Sequence, residues 1–176
     1  MNNMTPEDAY NFIKRLGLKR DARSEKIIMK DPMWIYWYAH DIIKGRWLEA
    51  ESVIMTDPRY AYWYARDVIK GRWTDAEPVI MKDPRYAYWY AHDIIKGRWA
   101  EAEPHIITDP AYAFYYTRSV IIGRWPEAES AIMTNPEWAY WYAHDIIKGR
   151  WAEAESHIMK DSYWWGQYKS RFGINE

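Results

Sequence analysis

Residues 83–108 read DPRYAYWYAHDIIKGRWAEAEPHIIT, and near-copies of this 26-residue segment make up almost the whole chain. The dipeptides that open successive copies keep one register: Asp31-Pro32, Asp57-Pro58, Asp83-Pro84, Asp109-Pro110 and Asn135-Pro136. A fixed period of this length is the sequence signature of a repeat architecture. We number the copies repeat 1 to repeat 6 (5–30, 31–56, 57–82, 83–108, 109–134 and 135–160), followed by a cap at 161–176, and interpret 1–176 as a single domain.

Each repeat predicts two helices. Asp or Asn before Pro starts the first, because the side-chain oxygen caps free N–H groups and proline suits the first helical position. We expect this helix, roughly 31–44 in repeat 2, to end at Gly45 in a left-handed conformation. A shorter helix follows at about 48–55, and Pro78 and Pro104 predict a later or 3₁₀ start in their repeats.

Two short helices bury their apolar faces only by stacking on neighbouring hairpins. The predicted fold class is therefore all-α, an α-solenoid of six 26-residue helical-hairpin repeats plus a C-terminal capping helix. The end units support this prediction. The aromatic fourth position becomes Asp8 where no repeat precedes, and the small fifth and ninth positions become Trp165 and Lys169 where none follows.

The composition excludes several classes of function. The chain has 24 Lys+Arg against 25 Asp+Glu, so it has no bulk positive field for nucleic acid. It has no cysteine, which excludes disulfides and thiolate chemistry. The first residues do not form a signal peptide, and no apolar run is long enough to span a bilayer. We expect a cytoplasmic protein without membrane contact.

The second helix carries an acidic residue on an apolar stripe, and a buried carboxylate must be paired. The equally repeated arginine is the natural partner, although a ligand site is the alternative interpretation. The predicted structural ion pairs join Glu51, Glu77, Glu103, Glu129 and Glu155 to Arg46, Arg72, Arg98, Arg124 and Arg150.

An aromatic residue at the seventh position falls in the polar arc of the first helix, where the core does not need it. These residues form the aromatic ladder: Trp37, Trp63, Trp89, Tyr115 and Trp141. Cations follow at the tenth position (His40, Arg66, His92, Arg118 and His144) and at the fourteenth (Lys44, Lys70, Lys96 and Lys148). Three interpretations are open: packing between layers, a protein interface, or a stacking platform for nucleotides or single-stranded nucleic acid.

Nothing in the sequence predicts catalysis, a cofactor or a metal. The His-Asp dipeptides, such as His40-Asp41, lie two repeats apart, which is too far for their side chains to share an ion. An active site generally needs one unique constellation, whereas this chain repeats its residues. We therefore expect a non-enzymatic binding protein.

The unit D-P-x-Y-A-Y-W-Y-A-x-D-I-I-K-G-R-W-x-E-A-E-x-x-I-M-K resembles short aromatic-rich α-helical tandem repeats of tailed phages and large viruses, whose proteins are uncharacterised. The resemblance covers nearly the whole chain. It implies a phage accessory protein that binds and neutralises a host protein, such as a defence factor or toxin, in the host cytoplasm. It supplies no catalytic or ligand residues.

Two other hypotheses stay open at this point. The protein could sequester nucleotides or single-stranded nucleic acid through the ladder and its cations. It could also associate end to end through Trp164 and Trp165 of the cap.

Overall fold

The computed structural model describes residues 4–174, and within that range every regular element is a helix. Residues 1–3, and the last two residues of the predicted cap, lie outside the described part. The predicted all-α repeat of helical hairpins is confirmed. Backbone contacts divide the chain into two compact units, one ending at Ile94 and the other beginning at Ile95. The sequence predicted one continuous domain, and the unbroken register carries no sign of this division.

The first helix of each repeat starts at the predicted proline. Asp57, for example, accepts hydrogen bonds from the N–H groups of Arg59 and Tyr60. The α-helical segments are Pro6–Leu16, Pro32–Tyr38, Pro58–Trp63, Pro84–Tyr90, Pro110–Tyr116 and Pro136–Trp141. From repeat 2 onward each continues into a wider π-helical segment: Ala39–Ile43, Tyr64–Ile69, Ala91–Ile95, Thr117–Ile121 and Tyr142–Ile147.

The prediction that glycine ends these helices in a left-handed conformation is wrong in repeats 2 to 6. The reversal occurs one residue earlier, at Lys44, Lys70, Lys96, Ile122 and Lys148, with φ between 57° and 59°. The wide last turn explains the shift. The N–H groups of both Lys44 and Gly45 donate to the carbonyl of Ala39, which closes the helix before the glycine is reached. In repeat 1 the residue in the left-handed conformation is a glycine, Gly17, at φ 64°.

The second helices are short, and their starts vary. They span Ala22–Ile28, Glu51–Ile54, Glu77–Ile80, Glu103–Ile106, Pro126–Ile132 and Ala152–Ile158, and the cap helix is Ser162–Phe172. The predicted 3₁₀ start appears before Pro78, at Thr74–Ala76, but also in repeat 2 at Leu48–Ala50, where no proline requires it.

Within each unit the first helices pack in register through the positions that the caps pointed to. The fourth-position rings face backward: Tyr60 lies 6.4 Å from Tyr36, and Tyr86 lies 6.0 Å from Tyr62. The alanines at the fifth and ninth positions are fully buried, so the next helix approaches closely. In repeat 1, Asp8 forms a capping box with Thr5 in place of a backward-facing ring.

A tyrosine at the eighth position ties each repeat to the one before it. The hydroxyl of Tyr64 accepts a hydrogen bond from the N–H of Trp47 at 2.6 Å and donates one to Glu51 at 3.2 Å. The same two bonds recur at Tyr90, Tyr116, Tyr142 and Tyr168. Burial, followed by smaller effects that include the nearby Glu51, raises the pKa of the Tyr64 hydroxyl.

The repeated glutamate and arginine lie together in every repeat. Arg46 donates two hydrogen bonds to Glu51, both at 2.7 Å. The equivalent pairs are Arg20–Glu25, Arg72–Glu77, Arg98–Glu103, Arg124–Glu129 and Arg150–Glu155. The carboxylates are largely buried and the arginines are about half exposed. Each arginine therefore fixes the carboxylate that accepts a hydrogen bond from the tyrosine hydroxyl of the next repeat.

Candidate binding surface

The aromatic ladder of the first unit is partly exposed and held by neighbouring rings. The ring of Trp63 lies 5.6 Å from Tyr36 of the preceding repeat and 5.5 Å from Tyr60 of its own. Trp89 makes the same two contacts with the equivalent tyrosines of repeats 3 and 4. Trp37 contacts rings of its own helix and is 37% exposed. The ladder thus packs across layers and still presents aromatic surface to solvent.

The two ladder rings of the second unit contact rings of the following layer. Tyr115 is 37% exposed and lies 5.3 Å from Trp138 of the next repeat. Trp141 contacts His144 of its own helix at 5.6 Å and Trp164 of the cap at 6.2 Å. Trp164 is therefore part of the ladder packing in this unit.

The tenth-position cations are paired with carboxylates of the eleventh position. Arg66 donates two hydrogen bonds to Asp67, at 2.7 and 2.8 Å, and His40 contacts Asp41 at 2.7 Å. The equivalent contacts are His92–Asp93 and His144–Asp145, both at 2.6 Å. Arg118 has a serine at the next position and reaches Asp145 of repeat 6 at 3.4 Å. The basic side chains of the tenth position are thus engaged by carboxylates of the protein itself.

A tyrosine at the sixth position completes this network, and the sequence reasoning missed it. Tyr36 donates to Asp67 at 2.8 Å, one repeat ahead, and Tyr10 donates to Asp41 at 2.5 Å. Tyr62 donates to Asp93 in the same way. A signal was available, because in these three cases a tyrosine and an aspartate recur with a fixed separation of 31 residues.

This network favours the ionised form of the aspartates. Burial alone would raise the pKa of Asp41, but hydrogen bonds from Tyr10, His40 and Lys14 outweigh it and lower the pKa to about 2. The pKa of Asp67 is lowered for the same reason, with Arg66 and Tyr36 as the donors. These carboxylates are anionic at neutral pH and compensate the cations beside them.

The fourteenth-position lysines are the remaining cations, and they have no such partners. Lys44, Lys70, Lys96 and Lys148 are exposed at the ends of their π-helical segments. Within residues 4–174 no carboxylate forms an ion pair with any of them. Each also stands in a left-handed conformation that disfavours a side chain by about 1–2 kcal/mol.

The cap exposes less tryptophan than the self-association hypothesis assumed. Trp164 packs 5.3 Å from Tyr140, and Trp165 stacks on Tyr168 at 5.6 Å with an interplanar angle of 18°. Both indoles are partly buried. The most exposed large ring of the cap is instead Tyr163, at 63%.

Two further findings concern the described residues. No group of three His, Asp or Glu side chains among them has the arrangement of a metal site. None of the helices in that range combines the length and apolarity that crossing a bilayer requires. In comparisons with known proteins, no family model, curated protein or solved structure matches this chain.

Proposed function

We propose that the protein is a non-enzymatic binding protein whose partner is another protein, and that the ladder of the first unit is the contact surface. The observation that carries the proposal is that Trp37, Trp63 and Trp89 stay partly exposed while neighbouring rings fix them in place. Large aromatic side chains dominate the binding energy of protein interfaces. Rings that are already ordered lose little conformational entropy on binding.

The charges beside the ladder favour a partner with acidic groups around an apolar centre. Lys44 and Lys70 are exposed at the ends of the helices that carry Trp37 and Trp63, and they have no ion-pair partner among the described residues. His40 and Arg66, by contrast, are engaged by Asp41 and Asp67. A polyanion such as single-stranded nucleic acid would therefore meet aspartates as well as basic side chains along the ladder. The ladder rings also lie tilted against their neighbours, so they offer few free ring faces on which bases could stack.

The absence of catalysis is part of the proposal. The side chains that would carry chemistry recur in several repeats, and most are used in hydrogen bonds between or within repeats. The biological setting follows from the repeat resemblance: a phage accessory protein acting in the host cytoplasm, where it binds and neutralises a host protein such as a defence factor or toxin.

The test is affinity capture from host lysate with a ladder variant and a matched control. We choose Trp37→Gln/Trp63→Gln/Trp89→Gln, because the first repeat and the cap carry Asn11 and Gln167 at this position. The control is Leu48→Ser, which removes an apolar side chain that is 66% exposed and lies outside the ladder. We expect the ladder variant to lose a protein that the wild type and the control both retain.

The purified partner then decides between the two kinds of ligand. Binding to a protein surface should weaken little between 50 and 200 mM salt, whereas neutralisation of several phosphates would cost about 10³-fold or more over that range. Recovery of the same proteins by all three baits would place the contact elsewhere. Capture that depends on nuclease-sensitive material would support the sequestering hypothesis instead.

A further inference from the structure

The repeat pattern is broken at one place in the second unit. Repeats 2, 3, 4 and 6 carry aspartate at the eleventh position, but repeat 5 carries Ser119 and the cap carries Arg171. A carboxylate is therefore missing beside Arg118, and a cation replaces another carboxylate two layers further on, in the cap. Repeat 1 also carries a basic residue at this position, Arg15, but it belongs to the first unit.

Arg171 and Arg118, the neighbour of Ser119, line a surface groove of about 490 Å³ whose lining residues all belong to the second unit. Its polar lining consists of Arg118, His144, Asp145, Lys148 and Arg171, and Ile122, Gly123 and Ile146 complete it. Three permanent cations thus share the groove with a single carboxylate. No described acidic residue other than Asp145 forms an ion pair with any of the three.

Asp145 positions two of the basic groups. Its carboxylate contacts Nδ1 of His144 at 2.6 Å and lies 3.4 Å from a terminal nitrogen of Arg118. A contact of 3.4 Å is longer than a usual charge-assisted hydrogen bond. Arg118 therefore keeps N–H donors for another acceptor. No described residue forms a hydrogen bond with Nε2 of His144.

The comparable groove of the first unit differs in which kind of basic group is left without an ion-pair partner. The basic lining of that groove, of about 560 Å³, is Lys14, Lys19, Arg20 and Lys44, beside the carboxylate of Asp41. There Lys14 is bound to Asp41 at 3.0 Å, and Arg20 donates two hydrogen bonds to Glu25. Only Lys19 and Lys44 are left there without an ion-pair partner among the described residues, whereas the groove of the second unit also keeps a guanidinium, that of Arg171, without one.

We propose that the groove lined by Arg118, His144, Lys148 and Arg171 binds a phosphate group. A guanidinium offers paired N–H donors that match two oxygens of a phosphate, and two arginines and a lysine together balance its double charge. This inference goes beyond the proposed protein-binding function and does not rest on it, because it concerns residues of the second unit and a small ligand.

The probes are inorganic phosphate, pyrophosphate and adenosine monophosphate, titrated into the full chain by calorimetry at low ionic strength. The decisive variant is Ser119→Asp, which restores the carboxylate found in other repeats and should engage Arg118 as Asp67 engages Arg66. Arg171→Gln removes a cation at an exposed position of the cap. We expect each variant to weaken phosphate binding about tenfold or more, the effect of losing one charge-assisted hydrogen bond.

Two matched controls separate this site from general charge effects. Ser119→Asn has nearly the same shape as Ser119→Asp without its charge, and Arg66→Gln removes the tenth-position arginine of repeat 3. Both should bind phosphate as the wild type does. Tighter binding of adenosine monophosphate than of phosphate would identify a nucleotide as the source, and equal binding would show that the phosphate group alone is recognised.

The proposal is overturned if the wild type binds none of the three probes, or if Ser119→Asp and Arg171→Gln bind them as tightly as Ser119→Asn. Should Ser119→Asp fail to fold, as judged by circular dichroism, Arg171→Gln decides the question alone. Loss of partner capture by the ladder variant has no bearing on this result, so the two proposals fail independently.

Discussion

The hydroxyl of Tyr64 is the sharpest test of how the repeats are joined. Tyr64→Phe removes one oxygen atom from a fully buried side chain and leaves its ring packing in place. The oxygen accepts a hydrogen bond from the N–H of Trp47 at 2.6 Å and donates one to Glu51 at 3.2 Å. The variant therefore deletes two bonds between repeat 2 and repeat 3.

The expected cost comes mainly from the amide of Trp47. A buried donor left without an acceptor costs about 1–3 kcal/mol. The loss of the hydrogen bond to Glu51 costs less, because Arg46 still donates to both carboxylate oxygens at 2.7 Å and its own side chain is partly exposed. We therefore expect Tyr64→Phe to lower the free energy of unfolding by about 2 kcal/mol.

Urea unfolding followed by circular dichroism measures this change, provided that the slope of the transition stays the same. The matched control is Tyr163→Phe, whose ring is 63% exposed and which should change stability by less than about 0.5 kcal/mol. A cycle with Glu51→Gln should show a coupling energy of about 1 kcal/mol between the two side chains. Equal stability of Tyr64→Phe and the wild type would refute the idea that this hydroxyl joins the repeats.

Three further predictions concern other parts of the chain. The pKa of Asp41 is lowered from 3.8 to about 2, so its stabilising effect is complete above about pH 4 and is lost as the pH falls through 2; Asp41→Asn should flatten the acid loss of stability measured between pH 5 and pH 2, and an unchanged acid profile would contradict this. Ile122 is a β-branched residue at φ 58° and is 79% exposed, so Ile122→Asn should raise stability by about 1 kcal/mol, and a lower melting temperature would argue against strain there. Gly17→Ala at φ 64° should cost about 1 kcal/mol in urea unfolding, whereas Gly45→Ala should cost under about 0.5 kcal/mol; the reverse order would restore glycine as the helix terminator.

The architecture was predictable because its main determinants are local and repeated. Asp-Pro at the start of each first helix, alanine where helices approach, and an apolar stripe on the second helix each act within one or two layers. The end units even indicated the direction of stacking, since Asp8 and Trp165 replace the aromatic fourth and small fifth positions of the internal repeats.

The π-helical turns were not predictable from the same signals. An apolar stripe fixes which side of a helix is buried but is insensitive to one extra residue in its last turn. The wider turn moves the left-handed residue from Gly45 to Lys44, against the intrinsic preference of both residues. The network of Tyr36 and Asp67 was missed for a different reason, because its members lie on different repeats and only stacking brings them together.

Repetition also separates side chains that hold the fold from side chains available to a ligand. Tyr64, Glu51 and Arg46 already use their polar atoms inside the protein, so their recurrence follows from stacking alone. The ladder rings recur while remaining partly exposed, and Arg171 occupies a position where four of the six repeats carry aspartate. Substitutions in the first group should lower stability and binding together. Substitutions at Trp37 or Arg171 should lower binding with little loss of stability, and this contrast is what distinguishes a binding surface from a packing one.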